Sequence, residues 1–177
     1  MWAAALITFF GCRRLGETTV SSPSSFDGRY HVLRSTIVAF NTLRDGSRSV
    51  TFCIPWTKTT CEEGTSVIAT ARKDSLCPYT AMHNHLEVNR DAPPSTSLFA
   101  YTSSTSGRWE HLTKYKFMEF CTGVWADANL AHIQGHSFWI GGAVELLLAG
   151  IPPEIVHQEK HKKLSDFIDF LALNTSF

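Results

Sequence analysis

The hydrophobic pattern changes twice along the chain, and this change restricts the fold more than any other feature of the sequence. Between residues 31 and 70, β-branched and aromatic residues form three stretches separated by polar turns, a pattern typical of strands. On both sides of this region, apolar residues recur at helical spacing. The sequence therefore predicts an α+β fold, mainly helical, with helices around a small three-stranded antiparallel sheet whose strands are His31–Phe40, Val50–Trp56 and Thr65–Thr70.

The predicted helices have recognisable ends. Pro78 lies near the start of one helix, Thr113 is a suitable N-cap for another, and Gly150 ends a third. The chain has 177 residues and no internal repeats, so we predict a single domain over residues 1–177. The helices are expected at Ala3–Glu17, Leu76–Val88, Thr113–Ala128, His136–Ala149, shortly after Pro152 and at Leu164–Leu173.

Charge excludes one class of protein. Sixteen basic and sixteen acidic residues give zero net charge, so the chain is not a polycationic nucleic-acid binder. The distribution is uneven, however. Residues 1–58 contain seven basic and three acidic residues, a balance of +4, and the remainder carries −4. A local basic face is compatible with this polarity.

Cysteine and histidine usage gives no indication of a metal site. The five cysteines are scattered and include no Cys-x-x-Cys pair, which argues against a disulfide framework and a closed zinc site. His83 and His85 lie two residues apart in a predicted helix, so they point to different faces. We therefore expect no metal, and a reducing, intracellular location.

The N-terminal segment is apolar from Trp2 to Phe10, but no basic region precedes it. No stretch of the chain approaches the roughly 20 apolar residues that a membrane span requires. We interpret the segment as a buried helix and expect no membrane association. It begins so abruptly that we also expect a preceding segment to be missing.

Three local features suggest chemistry, although each has an ordinary explanation. Arg14 and Glu17 are three residues apart and face the same side of a helix, as a simple helix-end ion pair would. Lys58 lies on a predicted hairpin, where most lysines are solvated surface. His136 opens a predicted helix, where it is either a cap or part of a phosphate-facing site.

Taken together and in their order along the chain, these features indicate a protein family more specifically than any one of them alone. The blocks are GCRRLGE, IPWTKTTCEEG, LCPYTAMHNHL, LFAY, LTKYKF and GHSFWIGGAVELLLAGIPPEIV. Over nearly its whole length the chain resembles the catalytic domain of the tyrosine recombinases, the phage-integrase type of DNA breaking-rejoining enzymes. It is most similar to recombinase-like proteins of fungal mobile elements. The resemblance implies a recombinase catalytic fold without the N-terminal core-binding domain, a role in DNA binding, recombination and integration, and a nuclear location.

The resemblance also implies roles for individual residues. In the family, a tyrosine attacks a DNA phosphodiester, two arginines bind the phosphate oxygens, a hairpin lysine protonates the leaving oxygen, and a histidine supports the phosphate. No cofactor is used. By motif position, Arg14 is similar to the first arginine and Glu17 to its structural partner. Lys58 is similar to the general-acid lysine and His136 to the histidine.

The remaining motif positions depart from the family. The second arginine position is Trp139, the late tryptophan position is Lys162, and the nucleophile position is Phe170. The four tyrosines of the chain all precede His136, so none of them replaces the nucleophile in the same chain. Because covalent catalysis by this route requires the phenolic oxygen, we predict a chain that does not cleave DNA.

The expected partner is double-stranded DNA, bound weakly and in a salt-dependent manner. A homo-oligomer formed through the C-terminal segment is a further expectation. Two alternatives stay open: a recombinase that uses a tyrosine from another subunit, and a non-DNA scaffold or relic reading frame that retains the fold. The residues predicted to contact DNA are Arg13, Arg14, Arg34, Arg48, Lys58 and Lys114.

Overall fold

A computed structural model describes residues 1–130 and 133–153 of the chain. Helices pack around a small antiparallel sheet in these residues, so the predicted α+β class and the three-stranded sheet are confirmed. The helices are α1 (Trp2–Phe10), α2 (Leu15–Thr18), α3 (Pro78–Val88), α4 (Lys114–Asp127) and α5 (Ser137–Leu148), with a short 3-10 helix at Pro23–Ser25. The strands are β1 (Ala39–Thr42), β2 (Arg48–Ile54), β3 (Thr65–Thr70), β4 (Tyr101–Thr102) and β5 (Trp109–Glu110).

The larger sheet has the order β1-β2-β3, and both pairs are antiparallel. The β1–β2 turn passes through Gly46, whose φ of 81° lies in the left-handed region that glycine adopts without strain. Phe52 on the central strand and Val67 on β3 are almost completely buried. The core therefore lies between this sheet and helices α1 and α3, which both pack against it.

The N-terminal helix is shorter than predicted. The sequence favours one helix over Ala3–Glu17, but α1 ends at Phe10 and a separate short helix, α2, follows. Cys12 has a φ of 49°, and its N–H donates to the Phe9 carbonyl at 3.1 Å. The N–H of Arg13 donates to the Thr8 carbonyl at 2.9 Å. These two bonds form a Schellman motif, which reverses the chain direction immediately before Arg14.

The first strand begins later than predicted. The sequence favours a strand over His31–Phe40, whereas β1 covers Ala39–Thr42. The backbone N–H groups of Arg34 and Ser35 donate instead to the carbonyls of Thr96 (2.8 Å) and Pro94 (3.1 Å). Carbonyls of a loop distant in sequence thus accept the hydrogen bonds that a neighbouring strand would otherwise have accepted.

Helices α3 and α4 agree closely with the prediction, and a side chain caps the N-terminus of each. The Thr113 hydroxyl accepts from the Lys116 N–H at 3.1 Å at the start of α4. The Cys77 sulfur accepts from the Thr80 N–H at 3.5 Å at the start of α3. The β4–β5 hairpin was not predicted. The helices predicted after Pro152 and over Leu164–Leu173 lie outside the described residues.

Candidate phosphate-binding site

Arg14 lies directly after the Schellman motif and is the N-cap residue of α2. Its backbone N–H donates to Glu17 Oε2 at 3.2 Å, and its guanidinium lies 3.7 Å from Glu17 Oε1. The Arg14 side chain remains 45% exposed, whereas that of Glu17 is 12% exposed. The sequence expectation of a paired Arg14 and Glu17 therefore corresponds to a capping arrangement that leaves the arginine accessible to solvent.

Lys58 lies in the connection between β2 and β3 and is exposed. The hydroxyl of Thr57 accepts from the N–H groups of Thr59 (3.3 Å) and Thr60 (3.0 Å), which fixes a tight turn around Lys58. Gly64 closes the connection with a φ of 62°. A Cβ at Gly64 would also collide with the Ile54 carbonyl, so only glycine fits there.

The start of α5 lies close to α2. A Cβ at Gly135 would be 3.0 Å from Leu15 Cδ2, so Gly135 allows the two segments to approach. His136 follows at the N-cap position of α5 and is exposed. Trp139 lies one turn further along the same helix and is half-buried.

These three segments, widely separated in sequence, meet around one small cavity. Arg13, Arg14, Thr57, Thr59 and Trp139 line it. The cavity measures only about 10 Å³, which is close to the volume of one water probe. A phosphate group therefore does not fit inside it, and any phosphate contact has to occur at its outer surface.

Three exposed cations on these and neighbouring segments define what we call the basic face: Arg14, Lys58 and Lys114. Arg14 lines the cavity, and Lys58 lies between the lining residues Thr57 and Thr59. Lys114 is the first residue of α4, and its Cε would lie 3.7 Å from a Cβ at Gly135. Lys114 is therefore next to the start of α5. The basic face thus includes one cation beside the start of α5, one at the cavity and one on the turn whose neighbouring threonines line the cavity.

The other three arginines predicted to contact DNA have different environments. Arg13 is 3% exposed, and its Nε donates to the Gly11 carbonyl at 2.6 Å, so it is not part of an exposed surface. Arg34 Nη2 donates to the carbonyls of Leu86 and Asn89 at the end of α3. Burial lowers the pKa of the Arg34 guanidinium. Arg48 lies over the Tyr79 ring, 4.9 Å from its centroid.

Arg48 is also distant from the basic face along the sheet. It begins β2, whereas the turn that contains Lys58 follows the last residue of that strand. Ile54 is six positions further along the extended strand than Arg48, a distance of roughly 20 Å. Lys162 and Phe170, the remaining positions named by the resemblance, lie outside the described residues.

Two histidines that the sequence did not single out for a role hold a buried segment. Nε2 of His85 is 2.9 Å from the Leu98 carbonyl, and Nδ1 of His111 accepts from the Ser97 N–H at 3.3 Å. Burial lowers the pKa of both imidazoles, and the nearby His31 contributes at His111. These contacts are long-range, so no local pattern in the sequence indicates them.

Comparison with known proteins does not assign the chain to a family, because no family model and no curated protein matches it. Over residues 1–130 and 133–153, no group of three or more histidine, cysteine, aspartate or glutamate side chains is arranged to hold a metal ion. No helix in the same residues has the length and apolar character needed to cross a membrane.

Proposed function

We propose that the basic face binds the phosphate backbone of double-stranded DNA and that the chain does not cleave the DNA it binds. The main support is the meeting of Arg14, the Lys58 turn and the His136–Trp139 turn around one cavity. The resemblance to the tyrosine recombinases associates these same positions with one phosphate site. Sequence proximity does not explain their meeting, because they come from three distant parts of the chain.

The proposed mode of binding is electrostatic. Arg14, Lys58 and Lys114 are exposed and available to phosphate oxygens, and binding would release the counterions condensed on DNA. Three phosphate contacts predict a slope of about −2.7 when the logarithm of the association constant is plotted against the logarithm of the salt concentration. Base-specific contacts are not part of the proposal.

The absence of cleavage follows from the residues at the other motif positions. Trp139 is at the position of the second arginine. This position therefore provides no positive charge to stabilise the negative charge that develops on the phosphate during cleavage. Phe170 is at the nucleophile position and has no phenolic oxygen. The small volume of the cavity agrees with this proposal. Trp139 lines the cavity at the position where an arginine would require space for solvent and a phosphate group.

One observation favours the alternative of a scaffold without a DNA partner. Arg13, Arg34 and Arg48, half of the predicted DNA contacts, are engaged with carbonyl groups or an aromatic ring of the fold. If the cations of the basic face also serve only the fold, the chain will not bind DNA at any salt concentration.

The test compares two matched arginine variants in a fluorescence anisotropy titration of a random-sequence duplex at low salt. Arg14 and Arg90 each pair with a glutamate three residues away, and both are exposed. Arg14→Ala should weaken binding, because it removes a phosphate contact, whereas Arg90→Ala, in the turn that follows α3 and outside the basic face, should not. Equal affinities for the two variants, or no binding by the unchanged chain, would contradict the proposal.

A further inference from the structure

The connection between β2 and β3 contains a buried threonine, Thr57. Thr57 is 2% exposed, whereas Lys58 and Thr59, the next two residues, are exposed. Thr57 also lines the small cavity that Arg14 lines. Burial of a hydroxyl group costs free energy unless the group is hydrogen-bonded, so the partners of this hydroxyl show what its burial achieves.

The Thr57 hydroxyl uses its hydrogen-bonding capacity within the turn. A threonine hydroxyl has two lone pairs and one proton. The lone pairs accept from the N–H groups of Thr59 (3.3 Å) and Thr60 (3.0 Å). The proton is then available to the Thr60 hydroxyl oxygen, which is 2.6 Å away. One buried side chain thus binds the two residues that come directly after Lys58.

The backbone of Thr57 holds the same turn. The Cys61 N–H donates to the Thr57 carbonyl at 2.9 Å, and these two residues form an isolated β-bridge. Regular pairing between β2 and β3 ends at Ile54 and Thr65, so the strands provide no further ladder bonds at Lys58. Thr57 therefore holds the segment that contains Lys58 through both its hydroxyl and its carbonyl.

A fixed turn changes what it costs a lysine to bind a phosphate. The lysine side chain already has a flexible stem of four carbons. If the turn beneath it also moves, more conformational freedom is lost when the ammonium group contacts DNA, and the affinity decreases. A hydroxyl that keeps the turn closed therefore increases the affinity without itself touching DNA.

We propose that Thr57 is a positioning residue for phosphate binding, because its buried hydroxyl keeps the turn closed and holds Lys58 in place for a DNA phosphate. This inference rests on the proposed function of the basic face. It adds a residue that the resemblance to the recombinases does not name, and it assigns no contact between Thr57 and DNA.

The experiment compares Thr57→Val, which removes the hydroxyl, with Thr57→Ser, which keeps it. Fluorescence anisotropy with a random-sequence duplex gives the affinity of each full-length variant over a salt series. We expect Thr57→Val to bind about three- to tenfold more weakly, the cost of ordering one flexible side chain, and Thr57→Ser to bind like the unchanged chain. Thr57→Val should keep the salt slope, because Lys58 still contacts its phosphate, whereas Lys58→Ala should reduce the magnitude of the slope by about 1.

Two further variants separate positioning from a general loss of stability. Thr51→Val is the matched control, because Thr51 is 6% exposed on β2 and its hydroxyl accepts from Asn41 Nδ2 at 3.0 Å. This variant also loses a buried acceptor, but it lies outside the basic face and should not change the affinity. In a Lys58→Ala background, Thr57→Val should have no further effect, because the residue it positions is absent.

Amide hydrogen exchange, followed in two-dimensional NMR spectra, tests the turn without DNA. The N–H groups of Thr59 and Thr60 should exchange faster in Thr57→Val than in the unchanged chain, and Thr57→Ser should restore slow exchange. Unchanged exchange in Thr57→Val, an undiminished affinity for DNA, or an equal loss of affinity with and without Lys58 would overturn this inference alone. No binding by the unchanged chain would overturn the proposed function together with it.

Discussion

The guanidinium of Arg34 donates to the carbonyls of Leu86 at 2.9 Å and Asn89 at 3.1 Å, where α3 ends. The Leu86 carbonyl is in the last turn of α3, where carbonyls have no partner within the helix, so the arginine satisfies a group that would otherwise need water. The Asn89 carbonyl accepts from the Ala92 N–H at 3.0 Å as well. Arg14 has a different environment, because its side chain is directed to a single glutamate and is 45% exposed. Residues of one type thus serve stability in one place and remain available for binding in another.

Arg34→Ala should therefore reduce stability without changing the affinity for DNA. The loss of two hydrogen bonds from a charged donor predicts a decrease of about 2 kcal/mol in the free energy of unfolding. Urea denaturation measures this decrease, and Arg44→Ala, at an exposed turn position, is the matched control. A stable Arg34→Ala variant with weakened DNA binding would contradict the structural role given to this residue.

Two partly buried histidines, His85 and His111, predict a dependence of stability on pH. Burial lowers the pKa of His85 and of His111 in the folded chain below their usual values. As pH falls through about 6.5, the unfolded chain takes up these protons first, so stability decreases. The contribution of the two neutral histidines to stability is complete above the pKa of the unfolded chain, about 6.5. It is lost progressively as the pH falls from there to the pKa values of the folded chain.

Urea midpoints measured from about pH 7.5 to about pH 5 test this dependence. The His85→Gln variant should show a smaller decrease over the same range, because it removes one titrating group while leaving a donor for the Leu98 carbonyl. The difference in slope is limited to about 1.4 kcal/mol per pH unit for one histidine. Parallel curves for the variant and the unchanged chain would exclude His85 as a source of the dependence.

At the level of elements, the position of α5 depends on two adjacent glycines. A Cβ at Gly142 would collide with the Phe9 carbonyl and lie 3.3 Å from the sulfur of Cys12. A Cβ at Gly141 would be 2.6 Å from the Phe9 ring. The close contact between α1 and α5 therefore places Trp139 and the start of α5 beside Arg14.

Gly142→Ala should move α5 away from α1 and destabilise the chain by about 1–3 kcal/mol, the usual effect of adding volume to a packed contact. Gly123→Ala on α4 is the control, because a Cβ there has no neighbour within 4 Å. The control should be neutral or more stable by up to about 1 kcal/mol, since alanine favours a helix. Thermal unfolding of both variants is the measurement, and equal midpoints would show that the α1–α5 contact is not tight.

Local signals predicted some elements well and others poorly. The Thr113 cap and Pro78 place α4 and α3 within one or two residues, and β3 coincides with its prediction. The strand predicted over His31–Phe40 was too long because residues of the 94–96 loop take its first hydrogen bonds. Long-range contacts of this kind leave no periodic pattern in a sequence. The two-residue strands β4 and β5 are too short to produce one.

The candidate site was predictable in part. Motif order indicated Arg14, Lys58, His136 and Trp139 as positions of one site, and their segments do meet. Burial of Arg13 was not predictable, because Arg13 and Arg14 are adjacent and chemically identical. Only the backbone reversal at Cys12 determines which of the two side chains is exposed.

For the whole molecule, the proposal that cleavage is absent can be tested by restoring the two missing groups. Trp139→Arg with Phe170→Tyr should produce a trace of covalent protein–DNA adduct on a nicked duplex, detected as a shifted band in a denaturing gel. Neither substitution alone should produce it, because the arginine and the phenolic oxygen act in the same step. No adduct from a folded, DNA-binding double variant would contradict the assignment of these two positions, and an adduct from the unchanged chain would contradict the proposed inactivity.

The salt dependence of DNA binding tests the central claim most directly. The affinity of the full chain for a random-sequence duplex is measured over a series of salt concentrations, together with that of Arg14→Ala. We predict a log–log slope of about −2.7 for the unchanged chain and a slope smaller in magnitude by about 1 for the variant. Binding that does not weaken with salt, or a slope that Arg14→Ala leaves unchanged, would contradict a phosphate-binding basic face.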